Sequence, residues 1–304
     1  MKIGIVILNY LNWKDTVDCV ETIFNQSKKD LEIVIVDNHS QNESISELSK
    51  LYEDISNITI LENSENMGFA KGNNAGIKYC KENLGLYNVF VCNNDVLFED
   101  TTFFSKLTEL NFDNDIGAIG TTIIGADGKN QNPVKLKINT YTLIKHLIEP
   151  ILNEIGLKKL TVFMHQVAQF IKKKTQKKAP LSEYSSTVSK NDEEYFLHGA
   201  AIYFTEAYLK KADGFYPETF LYYEENILGI VFEKMNLKML YIEDLKMNHK
   251  EDQSMALSFS NISKAKKRLL RRSIMIAIKV RFYSIGQIKK KFKDTKYKFK
   301  LINN

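Results

Sequence analysis

The run Phe90-Val91-Cys92-Asn93-Asn94-Asp95-Val96 is a short apolar stretch that ends abruptly in two amides and a carboxylate. One Asp among Asn residues at a strand tip can ligate a hard divalent cation, Mn2+ or Mg2+, without overcharging the site. Such a cation could grip a diphosphate and offset charge on a leaving group. Asp95 could instead cap the next helix, but Asp100 and Thr101 are available for that, which favours the metal reading. A second polar cluster, Asp37-Asn38-His39-Ser40, follows the apolar residues 31–36. Its carboxylate can accept a hydrogen bond from a nucleobase imide, or form an Asx turn into the next helix. The glycines of Asn66-Met67-Gly68-Phe69-Ala70-Lys71-Gly72-Asn73-Asn74-Ala75-Gly76-Ile77 allow backbone to approach a ribose or phosphate closely. This segment is neither a dinucleotide fingerprint nor a Walker loop, because G-x-G-x-x-G and Gly-Lys-Ser/Thr are both absent.

Farther on, Phe220-Leu221-Tyr222-Tyr223-Glu224-Glu225-Asn226 places two acids at a helix start. They could compensate the helix dipole, or one could be a general base for an acceptor hydroxyl. Adjacent side chains on a helix diverge, so one acid is expected to face the site. His249 is a candidate second metal ligand, although a lone His is more often structural.

The elements that must position these residues alternate. Residues 3–8, 31–36, 58–61 and 89–92 read as strands, and 13–26, 44–52 and 70–82 as helices. This spacing implies an α/β fold: a mostly parallel central sheet with helices on both faces. Ligands then sit beyond the carboxyl ends of the strands, where Asn9-Tyr10, Asp37-Asn38 and Asn93-Asn94-Asp95 all fall. A helix over 102–110 and a strand near 116–124 follow, then a turn at 126–129. Residues 133–191 read as an inserted helical pair and a loop. A strand over 200–204, helices over 206–211 and 224–235, and a strand over 238–242 complete the order.

The chain of 304 residues, 44% hydrophobic and 26% charged, is ordinary for a globular protein. No apolar run nears the roughly 20 residues that span a bilayer, and Met1-Lys2 leads straight into a strand, not a signal peptide. Cys19, Cys80 and Cys92 are odd in number and lack metal-ligand spacing, as expected of free thiols in a reducing cytosol. The net charge of +5 is unevenly spread: residues 261–300 hold 15 Lys or Arg and one Asp. A basic arm on an acidic body points to a polyanion.

As an ordered set these motifs resemble the family 2 glycosyltransferases, which have the GT-A fold. The matching pieces are Ile5-Val6-Ile7-Leu8-Asn9-Tyr10, Val36-Asp37-Asn38-His39-Ser40, the 66–77 run and Asn93-Asn94-Asp95. They continue with His198-Gly199-Ala200-Ala201, Asp213-Gly214-Phe215, the Glu224-Glu225 segment and His249. Together they span about residues 3–250, and the subgroup resembles rhamnosyltransferase-like enzymes of bacterial surface polysaccharide assembly. The resemblance implies donor or nucleotide contacts from Asn9, Tyr10, Asp37, Asn38, Asn66, Gly68, Phe69, Gly72, Asn73 and Asn94. It implies Asp95 and His249 as metal ligands for Mn2+ or Mg2+. His198, Gly199, Ala200 and Tyr223 would lie on the acceptor side. Glu225 falls where the family has a catalytic Asp, with Glu224 as a fallback, and Ile227 replaces a second Asp of the family pattern. The implied reaction is inverting sugar transfer from a nucleotide-diphospho-sugar, UDP- or dTDP-linked, to a lipid-linked or oligosaccharide acceptor.

Domain boundaries follow: a transferase domain over 1–255 with the 133–191 insert, and a basic helical extension over 256–304. Residues 264–291 interleave Lys and Arg with an apolar stripe, which suits an anionic membrane surface. A packed helix with a solvated basic face is the plainer reading. Nucleic acid is not expected, for want of a binding motif. The insert could bind the acceptor lipid or a second subunit in a homo-oligomer. The expected place is the cytoplasm, peripheral at the inner face of a bacterial plasma membrane. The alternative is a non-catalytic nucleotide-sugar-binding or scaffold partner of another transferase.

Overall fold

The computed structural model describes residues 1–134, 140–154, 156, 196–251 and 262–303. Nine strands form one sheet: β1 (Ile3–Asn9), β2 (Leu31–Asp37), β3 (Ile58–Asn63), β4 (Val89–Asn93), β5 (Val96–Leu97), β6 (Ile116–Ile124), β7 (Ala201–Phe204), β8 (Lys238–His249) and β9 (Phe299–Leu301). Their order is β5-β8-β6-β7-β4-β1-β2-β3-β9. β1 to β4 pair in parallel, as the alternating pattern predicts, and β6 and β8 are parallel too. β7 enters antiparallel to both β4 and β6, while β5 and β9 add antiparallel edges. The sheet is therefore mixed, with its parallel character concentrated in the first half.

The helices are α1 (Trp13–Phe24), α2 (Ser44–Tyr52), α3 (Gly68–Glu82), α4 (Phe103–Glu109), α5 (Thr140–Glu154), α6 (Glu206–Leu209), α7 (Glu224–Met235), α8 (Ile262–Phe282) and α9 (Ile285–Asp294). Continuous Ile/Val runs make both sheet faces apolar, so each face is covered. Ile5, Ile7, Ile33 and Ile35 pack with Val20 of α1, Leu48 of α2 and Phe103 of α4. Val6, Val34 and Val36 face the other layer, with Ile77 of α3, Ile227 of α7, Ala277 of α8 and Ile288 of α9.

Glycine lets α3 lie close on the sheet. A Cβ at Gly76 would fall 2.6 Å from Val6 Cγ1 and 2.8 Å from Val36 Cγ2. Both neighbours are stiff at χ1, so a larger residue would cost about 1–3 kcal/mol in overpacking. Gly72 likewise abuts Leu8 Cδ1, at 2.7 Å from the added Cβ. These two glycines serve helix–sheet packing.

One boundary differs from expectation. The strand expected over 238–242 continues to His249, because Thr122 Oγ1 donates to the Glu243 carbonyl at a register shift and β8 rejoins β6. The basic tail folds onto the domain. Ile276, Ala277, Val280, Ile288 and Phe292 are buried in its core, and β9 pairs with β3. The second helix expected in the insert, 162–171, and the loop after it lie outside the described residues. All three cysteines are buried and free. No helix among the described residues is long and apolar enough to cross a membrane.

Candidate active site

Parallel register aligns the carboxyl ends of three strands: Asn9 opposes Asp37, and Leu8 opposes Asn93. Beyond them opens a cavity of about 620 Å3. Thirteen of the residues picked from the sequence line it: Tyr10, Asn38, Asn66, Gly68, Phe69, Asn94, Asp95, His198, Gly199, Ala200, Tyr223, Glu224 and Glu225.

Asn9, Asp37, Gly72, Asn73 and His249 do not reach the cavity lining. Asp37 is fully buried, and its carboxylate accepts hydrogen bonds from Asn9 Nδ2 at 2.6 Å and Ser40 N at 2.7 Å. Asn9 Oδ1 accepts from Thr16 Oγ1, which also accepts from Asn94 Nδ2 at 3.2 Å. This network braces the loops that close strands β1, β2 and β4. Asn73 donates to the Phe69 carbonyl inside α3. Asn38 ties the second strand end to the glycine segment, donating to Asn66 Oδ1 and the Gly68 carbonyl.

Asp95 sits between β4 and β5, 6% exposed. The β5–β8 pairing places His249 opposite Val96, so His249 Nε2 lies 3.2 Å from Asp95 Oδ1. Asp95 Oδ1 is buried and accepts no hydrogen bond from the described residues. His249 Nδ1 lies 2.9 Å from Gln131 Oε1. The Gln131 amide nitrogen is engaged by Glu251, which leaves Oε1 to accept from Nδ1–H. A neutral ring in that tautomer would turn its Nε2 lone pair toward Asp95, the arrangement of a metal-ligating imidazole. A carboxylate oxygen and an imidazole nitrogen, close and aimed together, fit a divalent cation that takes its other ligands from phosphate and water. Among the described residues no group of three or more His, Cys, Asp or Glu could hold a metal unaided. His198 packs against His249, ring centroids 5.9 Å apart. Burial and that neighbour lower its pKa to about 4, so it stays neutral at physiological pH. Its Nδ1 accepts from Ala200 N.

The two acids line the same cavity. Tyr222 and Tyr223 have φ of 75° and 68°, a left-handed conformation that costs a non-glycine residue about 1–2 kcal/mol. The strain is held by packing: Phe69 N donates to the Phe220 carbonyl, Ser273 Oγ to the Leu221 carbonyl, and Tyr223 Oη meets His146 Nδ1 at 2.6 Å. The chain then enters α7 with Glu224 and Glu225 at its N-terminus. Glu225 Oε1 accepts from Gly199 N at 3.2 Å. A Cβ at Gly199 would stand 2.5 Å from that oxygen, so glycine makes room for the longer acid. Burial raises the Glu225 pKa above the ordinary carboxylate value. Glu224 is 4% exposed, and burial, with Glu225 beside it, pushes its pKa up to about 8. Ile227, at the departure from the family's second Asp, is fully buried in the core.

The profile of "Glycosyl transferase family 2" matches residues 4–177. The chain belongs to glycosyl transferase family 2. No curated protein matches this glycosyltransferase. Its fold is similar to that of S. aureus TarS 1-349 in complex with UDP, with a TM-score of 0.55 and 13% identity over 96% of this chain and 70% of that one. The same protein in complex with UDP-GlcNAc gives 0.54 and 14%, with the same coverages. The mannosyltransferase PcManGT from Pyrobaculum calidifontis, in complex with GDP-Man and Mn2+, gives 0.52 and 12% over 96% of this chain and 73% of that one. These likenesses show the GT-A fold for this glycosyltransferase.

Sequence reasoning missed three contributors. Gln131 orients His249, yet one polar residue in a loop carries no signal of that role. Arg268 and Arg272 of α8 line the cavity. Their charge was plain in the sequence, but not that this turn of the helix meets the site.

Proposed function

We propose that this family 2 glycosyltransferase is inverting and metal-dependent. The donor is a nucleotide-diphospho-sugar, and the acceptor is a hydroxyl of a lipid-linked glycan in bacterial surface polysaccharide assembly. The carrying observation is that Asp95 and the two acids of α7 line one cavity. Its size is ordinary for a small-molecule site. The likeness to proteins solved with UDP, UDP-GlcNAc and GDP-Man supports a nucleotide-linked donor.

Asp95 and His249 would hold Mn2+ or Mg2+, and a cation there would offset the charge of the departing diphosphate. An imidazole nitrogen beside the carboxylate favours Mn2+, since Mg2+ prefers oxygen ligands. Glu225 takes the proton from the acceptor hydroxyl. The freed oxygen attacks the anomeric carbon, and the bond to the diphosphate breaks on the opposite face. A buried carboxylate with a raised pKa is the stronger base for this task. The Gly199 N–H holds Glu225 in place, and Glu224 is mostly protonated at neutral pH, which leaves the base role to Glu225.

The subgroup we favour is rhamnosyltransferase-like, on the motif set alone. The apolar stripe of α8 is spent on the core, so membrane contact would fall to the exposed basic side chains and to Met275, Phe282 and Ile285. A thermal-shift panel of uridine, thymidine and guanosine diphosphate sugars, each with and without Mn2+, tests the proposal. One nucleotide class should raise the melting temperature, and more so with Mn2+. No response from any class would refute it.

A further inference from the structure

A second cavity, about 630 Å3, lies between α5 and α8 and shares Tyr223 with the first. Its wall holds Pro150, Leu270, Ile274 and the Tyr223 ring, with the polar groups of His146, Glu149, Lys267 and Arg271 among them. On the next face of the same helix turns, Arg268 and Arg272 line the catalytic cavity. They stand four residues apart and so lie on one side of the helix. Neither makes an ion pair among the described residues, whereas Arg281 is held by Glu233 at 2.5 Å. Among the described residues, five of the eight exposed large apolar side chains, Tyr141, Ile144, Met275, Phe282 and Ile285, also lie on α5, α8 and α9.

We infer that this region is an acceptor subsite for an amphiphile with a phosphate or diphosphate head. Arg268 and Arg272 grip the head, and the apolar stem lies in the cavity between α5 and α8. The inference rests on the transferase reading above and adds the acceptor's chemical class to it. Two guanidiniums without carboxylate partners among the described residues suit phosphate oxygens, which they can bind in a bidentate manner. Their position favours the acceptor over the donor. Ser273, next to Arg272, fixes α8 to the Leu221 carbonyl in the loop that leads to Glu224 and Glu225. An anion held there is attached to the group that meets the base, while the donor diphosphate belongs at Asp95, the ligand proposed above for the metal.

The test is calorimetric titration of the full chain with monododecyl phosphate below its micelle concentration, beside inorganic phosphate and dodecyl maltoside. The nucleoside diphosphates UDP, dTDP and GDP are titrated with Mn2+ in the same samples. Monododecyl phosphate should bind more tightly than either partial probe. The exposed double variant Arg268→Ala/Arg272→Ala should weaken it by about tenfold or more, and leave nucleotide affinity within about threefold. An unchanged amphiphile affinity in that variant overturns the inference. So does a loss confined to the nucleotide, which would assign the arginines to the donor diphosphate. Inorganic phosphate binding as tightly as the amphiphile removes the apolar cavity from the account. Arginine-dependent amphiphile binding without binding of any nucleotide would sink the transferase reading and leave the anion site standing.

Discussion

His249 Nε2 lies 3.2 Å from Asp95 Oδ1, and the antiparallel pairing of β5 with β8 holds the two together. Backbone reinforces the contact, since Lys250 N donates to the Asp95 carbonyl at 2.9 Å. Two candidate metal ligands far apart in the chain are thus fixed by a sheet edge and not by a loop.

Asp95→Asn keeps the volume and removes the anionic ligand. Mn2+ stimulation of nucleotide binding should vanish, and turnover should fall by about a hundredfold or more. The melting temperature should not drop, because a buried charge has been replaced by an isosteric amide. Full activity in this variant would remove Asp95 from the metal site.

Gln131→Leu withdraws the acceptor that sets the His249 tautomer. Outer-shell losses of this kind weaken metal affinity about 10–100-fold. A Mn2+ titration of turnover reads the effect directly, as a raised half-saturating concentration with a nearly normal plateau. An unmoved titration curve would make Gln131 a bystander.

Gly199→Ala separates fold from catalysis. The added Cβ meets only the far end of the Glu225 side chain, at 2.5 Å from Oε1. The carboxylate can swing away, so thermal stability should change little. A displacement near 1 Å costs a reaction about a hundredfold. Normal kcat in a well-folded Gly199→Ala would show that Glu225 need not sit where it does.

Glu224 links stability to pH. Its folded pKa of about 8 lies above its ordinary value of 4.5, so the native state holds the proton more tightly than the unfolded chain. Its stabilising share is complete below about pH 4.5 and is lost as pH rises through about 8. Glu224→Gln should therefore melt like the parent at pH 5 and higher than it at pH 8.5. Parallel melting profiles at the two pH values would show that the Glu224 pKa is not raised.

The alternating apolar runs made the strand–helix order legible, and with it the strand ends where Tyr10, Asn38 and Asp95 meet. Buried Ile and Val leave a pattern that polar interruptions do not erase. Where the interruption was structural, the pattern misled. Glu243 and Asp244 looked like the end of a strand, yet β8 passes through them to His249. Asp37 shows a different limit. A carboxylate at a strand end reads the same whether it faces a ligand or, as here, accepts from Asn9 and Ser40 in the interior. Spacing also could not tell glycines that meet a ligand from Gly72 and Gly76, which meet Leu8 and Val6. The basic tail revealed its charge, but only packing decided that Ile276 and Val280 face the core and that Arg268 and Arg272 face the site.

The claim that Glu225 is the base of a sugar transfer is tested most directly by turnover of a nucleotide sugar in Glu225→Gln. Release of nucleoside diphosphate is followed with uridine, thymidine and guanosine donors and Mn2+, and nucleotide affinity is measured on the same protein. The account predicts turnover by the parent enzyme and a loss of about a hundredfold or more in Glu225→Gln at unchanged nucleotide affinity. Parental rates in Glu225→Gln, or no donor consumed by the parent enzyme, would contradict it.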